Sequence, residues 1–88
     1  MALEQNFQQM AKRVAEANLK SAFPQQTMGH LYGLYKQSTV GDNPVQQAPW
    51  QMFDPTGYGK WEAWNKFKGL EREEAQRRYI EYAKSILD

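Results

Sequence analysis

Tyr32, Tyr35 and Lys36 stand at i, i+3 and i+4 in the run YGLYKQSTVGD, so a helix through them carries two phenols and an ammonium group on one face. Such a face suits a ligand better than a core. A phenol joins an apolar ring to a polar tip, and a lysine beside two of them matches a ligand that is part flat ring and part phosphate. A second run, KWEAWNKFKG, puts Lys60 at the head of an aromatic segment, and Tyr79 interrupts the apolar face of a later one. Catalysis has no comparable support. The single histidine, His30, lacks a partner for a triad or a metal cluster, and the chain holds no cysteine, no Gly-Xaa-Ser-Xaa-Gly elbow and no phosphate-cradling glycine loop. His30 reads as a partly exposed helix histidine, and neither a metal nor a cofactor is expected.

Four amphipathic segments must position these groups. Leu3, Phe7, Met10, Ala11, Val14 and Ala15 form the stripe of a first helix ending near Leu19 or Lys20. After a connection containing Phe23 and Pro24, Met28, Leu31, Tyr32, Leu34 and Tyr35 mark a second helix, with Pro24 or Thr27 at its start and Gly41 to Pro44 as its stop. Asn43 to Met52 is aperiodic and glutamine-rich, a long loop. Asp54-Pro55 is a cap followed by proline at the first helical position; Gly57 and Gly59 weaken that turn, and Gly69 is expected as the C-cap of an aromatic third helix. The fourth helix spans about Glu71 to Leu87, with acidic Glu71, Glu73 and Glu74 in its first turn and i,i+4 pairs of Glu73 with Arg77 and Glu74 with Arg78. The fold class is all-α with four helices.

The chain has 88 residues, room for one small domain over 1–88 that buries roughly 60% of its unfolded surface. Eleven basic residues against 10 acidic ones leave a net charge of +1, which excludes a broad basic field and argues against a nucleic-acid partner. The apolar stretches are short and the N-terminus lacks the basic-then-apolar pattern of a signal peptide, so stable membrane insertion is not expected. The absence of cysteine is compatible with a reducing interior. These features point to a soluble, cytoplasmic monomer.

The order Tyr-Xaa-Xaa-Tyr-Lys-Gln-Xaa-Thr-Val-Gly-Asp, followed by Lys-Trp-Xaa-Ala-Trp-Asn-Xaa-Xaa-Lys-Gly, resembles the two most distinctive segments of the acyl-CoA-binding protein family. The likeness runs from Phe7 to about Leu87. It implies an up-down-down-up four-helix bundle whose overhand link is the long loop. It implies binding of medium- to long-chain acyl-CoA, without conversion, as a transportable pool. Position by position, Tyr32 matches the tyrosine that bonds the ribose 3′-phosphate and Tyr35 the one whose ring lies on adenine. Lys36 and Lys60 match phosphate-binding lysines, and Tyr79 the tyrosine that closes the site. Gly33 and Leu34 fall within the same ligand-binding segment, and Met28 with Gly29 occupies the stretch bordering the acyl chain. The chain departs from the pattern at Ala15, Thr56 and Tyr58, where family members commonly carry lysines, and Lys12 and Arg13 are expected on other faces than Ala15.

Physical chemistry supports the same ligand. A 3′-phosphomonoester carries close to two negative charges and rewards converging ammonium and phenol donors. Adenine stacked on a phenol ring adds about 1 to 3 kcal/mol, and each methylene withdrawn from water about 0.8 kcal/mol. Trp64 is expected to anchor the core and Trp61 to touch the ligand, while Trp50 has three readings: covering the acyl chain, touching a membrane or capping the core. The rival to ligand binding is an interaction module that docks a peptide or helix on the aromatic face of Tyr32, Tyr35 and Trp50. Single-strand nucleic-acid stacking lacks a basic stripe.

Overall fold

The computed structural model describes residues 2–88; Met1, the first residue of the expected domain, lies outside the described residues. Four helices follow in order: α1 (Ala2–Lys20), α2 (Gln25–Thr39), α3 (Pro55–Asn65) and α4 (Arg72–Leu87). The stripe of α1 buries Phe7, Met10 and Val14, as its periodicity requires. Pro24, not Thr27, precedes α2, its fixed φ of −56° leading directly into the first turn. The C-terminal turn of α2 is closed by hydroxyls bonding back to the helix, Ser38 Oγ to Leu34 O at 2.6 Å and Thr39 Oγ1 to Tyr35 O at 2.9 Å. Gly41, at φ +99°, then reverses the chain.

Asp54 caps α3 by accepting the Gly57 N–H at 2.9 Å, and the regular helix begins at Pro55 despite the two glycines of its first turns. The helix stops at Asn65, four residues before the expected Gly69. From Phe67 the backbone tightens into three-residue turns, Phe67 N to Trp64 O, Lys68 N to Asn65 O and Leu70 N to Phe67 O. These turn Phe67 and Leu70 onto the core, and Gly69, at φ +91°, caps that stretch instead. In α4 the expected pairs form, Arg77 with Glu73 at 3.7 Å and Arg78 with Glu74 at 3.2 Å, both solvated and each contributing a fraction of a kcal/mol, about 0.3–0.5.

Side-chain contacts fix the helix directions. Glu4 accepts from Gln76 Nε2 at 2.7 Å, Phe7 meets Tyr79 edge-on at 5.1 Å and Arg13 pairs with Asp88 at 3.5 Å, so α1 and α4 run parallel. His30 lies against Tyr82, Tyr35 near Tyr79, and Gln37 donates to Leu70 O, so α2 runs antiparallel to α4. The starts of α2 and α3 share a cavity and the end of α3 bonds back to the end of α2, which makes these two parallel. The result is up-down-down-up.

Parallel neighbours joined in sequence need a long return, and residues 40–54 supply it. Indole N–H groups tie this link down, Trp61 to Val45 O and Trp64 to Gly41 O, both at 2.8 Å, together with Arg72 to Val40 O at 2.8 Å. At its root Asp42 accepts from the Gly69 N–H and from Gln37 Nε2, and these two hydrogen bonds hold its carboxyl below the usual range. Phe7, Leu34 and Gln37 are the largest fully buried side chains. Among the described residues no helix is long and apolar enough to cross a membrane.

Candidate ligand-binding site

Two grooves flank α2 and share Met28 and Tyr32 as a dividing wall. The first, about 800 Å³, lies between α2 and α3 and is lined by Gly29, His30, Thr56, Lys60, Ala63, Phe67 and Tyr82, among others. The second, about 690 Å³, lies between α1 and α2 and is lined by Lys12, Ala15, Leu31, Tyr35 and Tyr79, among others.

The helical spacing of Tyr32, Tyr35 and Lys36 keeps them on neighbouring turns of α2, but only Tyr32 borders both grooves; Tyr35 lines the second, and Lys36 lines neither. The Lys60 ammonium sits 5.8 Å from the centroid of the Tyr32 ring, and that of Lys36 lies 4.8 Å from the centroid of Trp64. Both cations are thus stationed on aromatic faces along the α2–α3 boundary. Tyr35 remains 40% exposed and stacks on Phe7 at 5.7 Å. Tyr79 is only 3% exposed, edge-on to Phe7 and close to Tyr35. Burial, helped by the neighbouring Tyr35, pushes its phenol up to about 12, so it stays a neutral donor at any physiological pH.

Gly33 and Leu34 point away from both grooves. Leu34 is in the core, and Gly33 lets α3 approach so closely that a Cβ there would lie 2.1 Å from Ala63 O. Met28, Gly29 and Thr56 line the first groove, whereas the Tyr58 hydroxyl turns to Glu62 at 3.4 Å. Arg13 is engaged with Asp88 outside both grooves. Lys12 lines the second groove together with Ala15, a correction to the expectation that it points elsewhere; the two are i and i+3 and share a face.

Sequence reasoning also passed over Lys66, which lines the first groove and lies near His30. Desolvation, and then the Lys66 charge, lower the pKa of His30, which favours the neutral imidazole against Phe67 and Tyr82. Trp64 anchors the overhand link rather than the centre of the core, and Trp50 does not cap the core: it is 61% exposed and packs edge-on against Phe53. Among the described residues no three histidine or acidic side chains converge to hold a metal ion.

Cations on aromatic faces beside two apolar-walled grooves define a helical-bundle protein that binds an amphiphile with an anionic head. Comparison with known proteins gives the class its family. A family model described as "Acyl CoA binding protein" matches residues 4–83. The chain is 38% identical to acyl-CoA-binding protein 2 of Saccharomyces pastorianus over 85 residues, covering 97% of this chain and 93% of that one. It is 40% identical to the acyl-CoA-binding protein of Fritillaria agrestis over 88 residues, covering 100% and 97%. The crystal structure of Oryza sativa acyl-CoA-binding protein 2 superposes with a TM-score of 0.86 at 33% identity, over 99% of this chain and 90% of that one. The chain belongs to the acyl-CoA-binding protein family, whose members are non-enzymatic binding proteins, and its function is to bind acyl-CoA.

Proposed function

We infer that this protein carries medium- to long-chain acyl-CoA through the cytoplasm as a monomer, with 1–88 acting as one acyl-CoA-binding domain. The observation that carries this reading is the shared wall: Tyr32 and Met28 border both grooves, and Lys60 stands over the Tyr32 ring at their junction. A ligand whose phosphates sit at that junction reaches both grooves at once. Lys36, Lys60 and the Tyr32 hydroxyl take the 3′-phosphate by charge-assisted hydrogen bonds. The adenine lies on the exposed Tyr35 ring on the α1 side, with neutral Tyr79 behind it. The acyl chain runs past Met28 and Gly29 into the groove walled by Ala63, Phe67 and Tyr82.

The division of labour is energetic. Charge pairing selects the CoA head, and each two-carbon extension adds about 1.6 kcal/mol, roughly 15-fold in affinity, until the groove is filled. Calorimetry with palmitoyl-CoA, free CoA and free palmitate tests the reading. Tight binding of the thioester and weak binding of both fragments are expected; free palmitate binding as well as palmitoyl-CoA would overturn it. Lys36→Ala and Lys60→Ala should weaken palmitoyl-CoA binding far more than they weaken binding of the ester lacking its 3′-phosphate. Equal losses on the two ligands would remove these lysines from that role.

A further inference from the structure

His30 is the one histidine of the chain, and aromatic contacts fix its place in the fold. Its ring centroid lies 4.3 Å from that of Tyr82 on α4, and it meets Phe67, in the turns behind α3, edge-on at 5.4 Å. Three elements thus build one aromatic wall with the imidazole in its middle, and all three rings line the groove between α2 and α3. Beside the imidazole that groove is open, because nothing lies within 4 Å of where a Cβ of Gly29 would stand. The ring is half-buried, yet among the described residues no hydrogen bond or ion pair reaches either of its nitrogens. Neither nitrogen is a buried atom left without a partner, so water solvates them from the groove side.

The two protonation states of this ring meet a hydrocarbon chain differently. A neutral imidazole offers a flat, largely apolar face that continues Phe67 and Tyr82. An imidazolium must keep its water, and a chain laid over it removes that water without replacing it. The surrounding charges do not compensate. From α3, Lys60, Glu62 and Lys66 line the same groove; α4 brings the Tyr82 phenol, α2 the Tyr32 phenol, and α1 does not border this groove. Burial, and then the charge of Lys66, already hold the imidazole below its usual range in the empty groove. We propose that His30 is an acyl-chain contact residue: the chain packs on the neutral ring, so a proton on His30 and a long chain in the groove exclude one another. This deepens the acyl-CoA reading, on which it rests, by making affinity for long-chain esters fall as pH falls through the titration of one groove residue.

A lone histidine makes the test direct, since its ring resonances in an NMR pH titration need no assignment among others. The titration is run on the full chain alone, with free CoA and with palmitoyl-CoA. Palmitoyl-CoA should lower the His30 midpoint by about 0.5 to 1 unit relative to free CoA, which corresponds to an affinity loss of about three- to tenfold at a pH below both midpoints. Calorimetry at pH 7.5 and 5.0 measures that loss. The CoA 3′-phosphate titrates near pH 6 as well, and free CoA reports its share. Wild type should lose more affinity for palmitoyl-CoA than for free CoA over this interval. In His30→Phe, which keeps a ring between Phe67 and Tyr82, and in His30→Gln, which keeps polarity without titrating, the excess should vanish. An unchanged or raised His30 midpoint with palmitoyl-CoA would overturn the proposal, as would an excess loss equal in wild type and both variants. Failure of acyl-CoA binding itself would appear separately, as absent palmitoyl-CoA binding at pH 7.5.

Discussion

Gly29 and Gly33 occupy successive turns of α2, and the same substitution at each should change stability in opposite directions. Alanine exceeds glycine by about 1 kcal/mol in helix propensity, so both replacements begin with that gain. At Gly29 nothing lies within 4 Å of the added Cβ, and the gain survives. At Gly33 the Cβ meets Ala63 O at 2.1 Å and Phe67 Cε2 at 2.7 Å, where ordinary contact starts at 3.4 Å. A phenyl ring can swing aside, but a backbone carbonyl cannot, and α3 must move off α2 by more than an ångström. Overpacking of this kind costs about 3 kcal/mol, at the upper end of its usual range, which leaves Gly33→Ala about 2 kcal/mol less stable than wild type. In a domain this small that lowers Tm by about 8–16 °C, while Gly29→Ala should raise it by about 4–8 °C. Urea denaturation of the ligand-free variants, followed by circular dichroism, measures both. A Gly33→Ala protein as stable as wild type, or two variants shifted in the same direction, would refute the close-approach argument.

Two further outcomes are expected. Removing the Lys12 charge, as Lys12→Ala, should weaken acyl-CoA binding by up to about fivefold at low salt and negligibly at high salt, since the side chain is exposed; Ala15→Lys should strengthen it by a similar factor. Calorimetry at two ionic strengths decides, and a salt-independent change would contradict a charge effect. Because the folded pKa of Tyr79 is about 12 against 10.0 unfolded, its contribution is fully present below pH 10 and is lost as pH rises through 12. Tyr79→Phe should therefore lose less stability than wild type between pH 10 and 12, measured by urea midpoints across that window; parallel slopes would show that another group titrates.

The elements were legible because each carries its own local chemistry. The stripe Phe7, Met10, Val14 specifies α1, and Asp54-Pro55 specifies the start of α3. The end of α3 was misplaced because the decisive partner of Gly69 is Asp42, 27 residues away, and no local signal reports a hydrogen bond of that range. The binding face was readable at Tyr32, Tyr35 and Lys36, whose types are unusual for a core. Lys12 was misjudged although its i,i+3 relation to Ala15 was available, and Lys66 offers no signal in the sequence, since its approach to His30 depends on how α3 ends. Trp50 remained ambiguous because only tertiary placement decides whether an indole in a loop turns inward or outward.

The helix α3 has no fully buried residue and makes its helix contacts with α2 alone. In the free protein it should therefore be the first segment to open, with amide hydrogens exchanging faster than those of α1 and α4. A ligand gripped by Lys60 on one side and Tyr32 on the other would join the two helices across that seam. Binding would then slow exchange most in α3, so that the cargo completes the wall that encloses it.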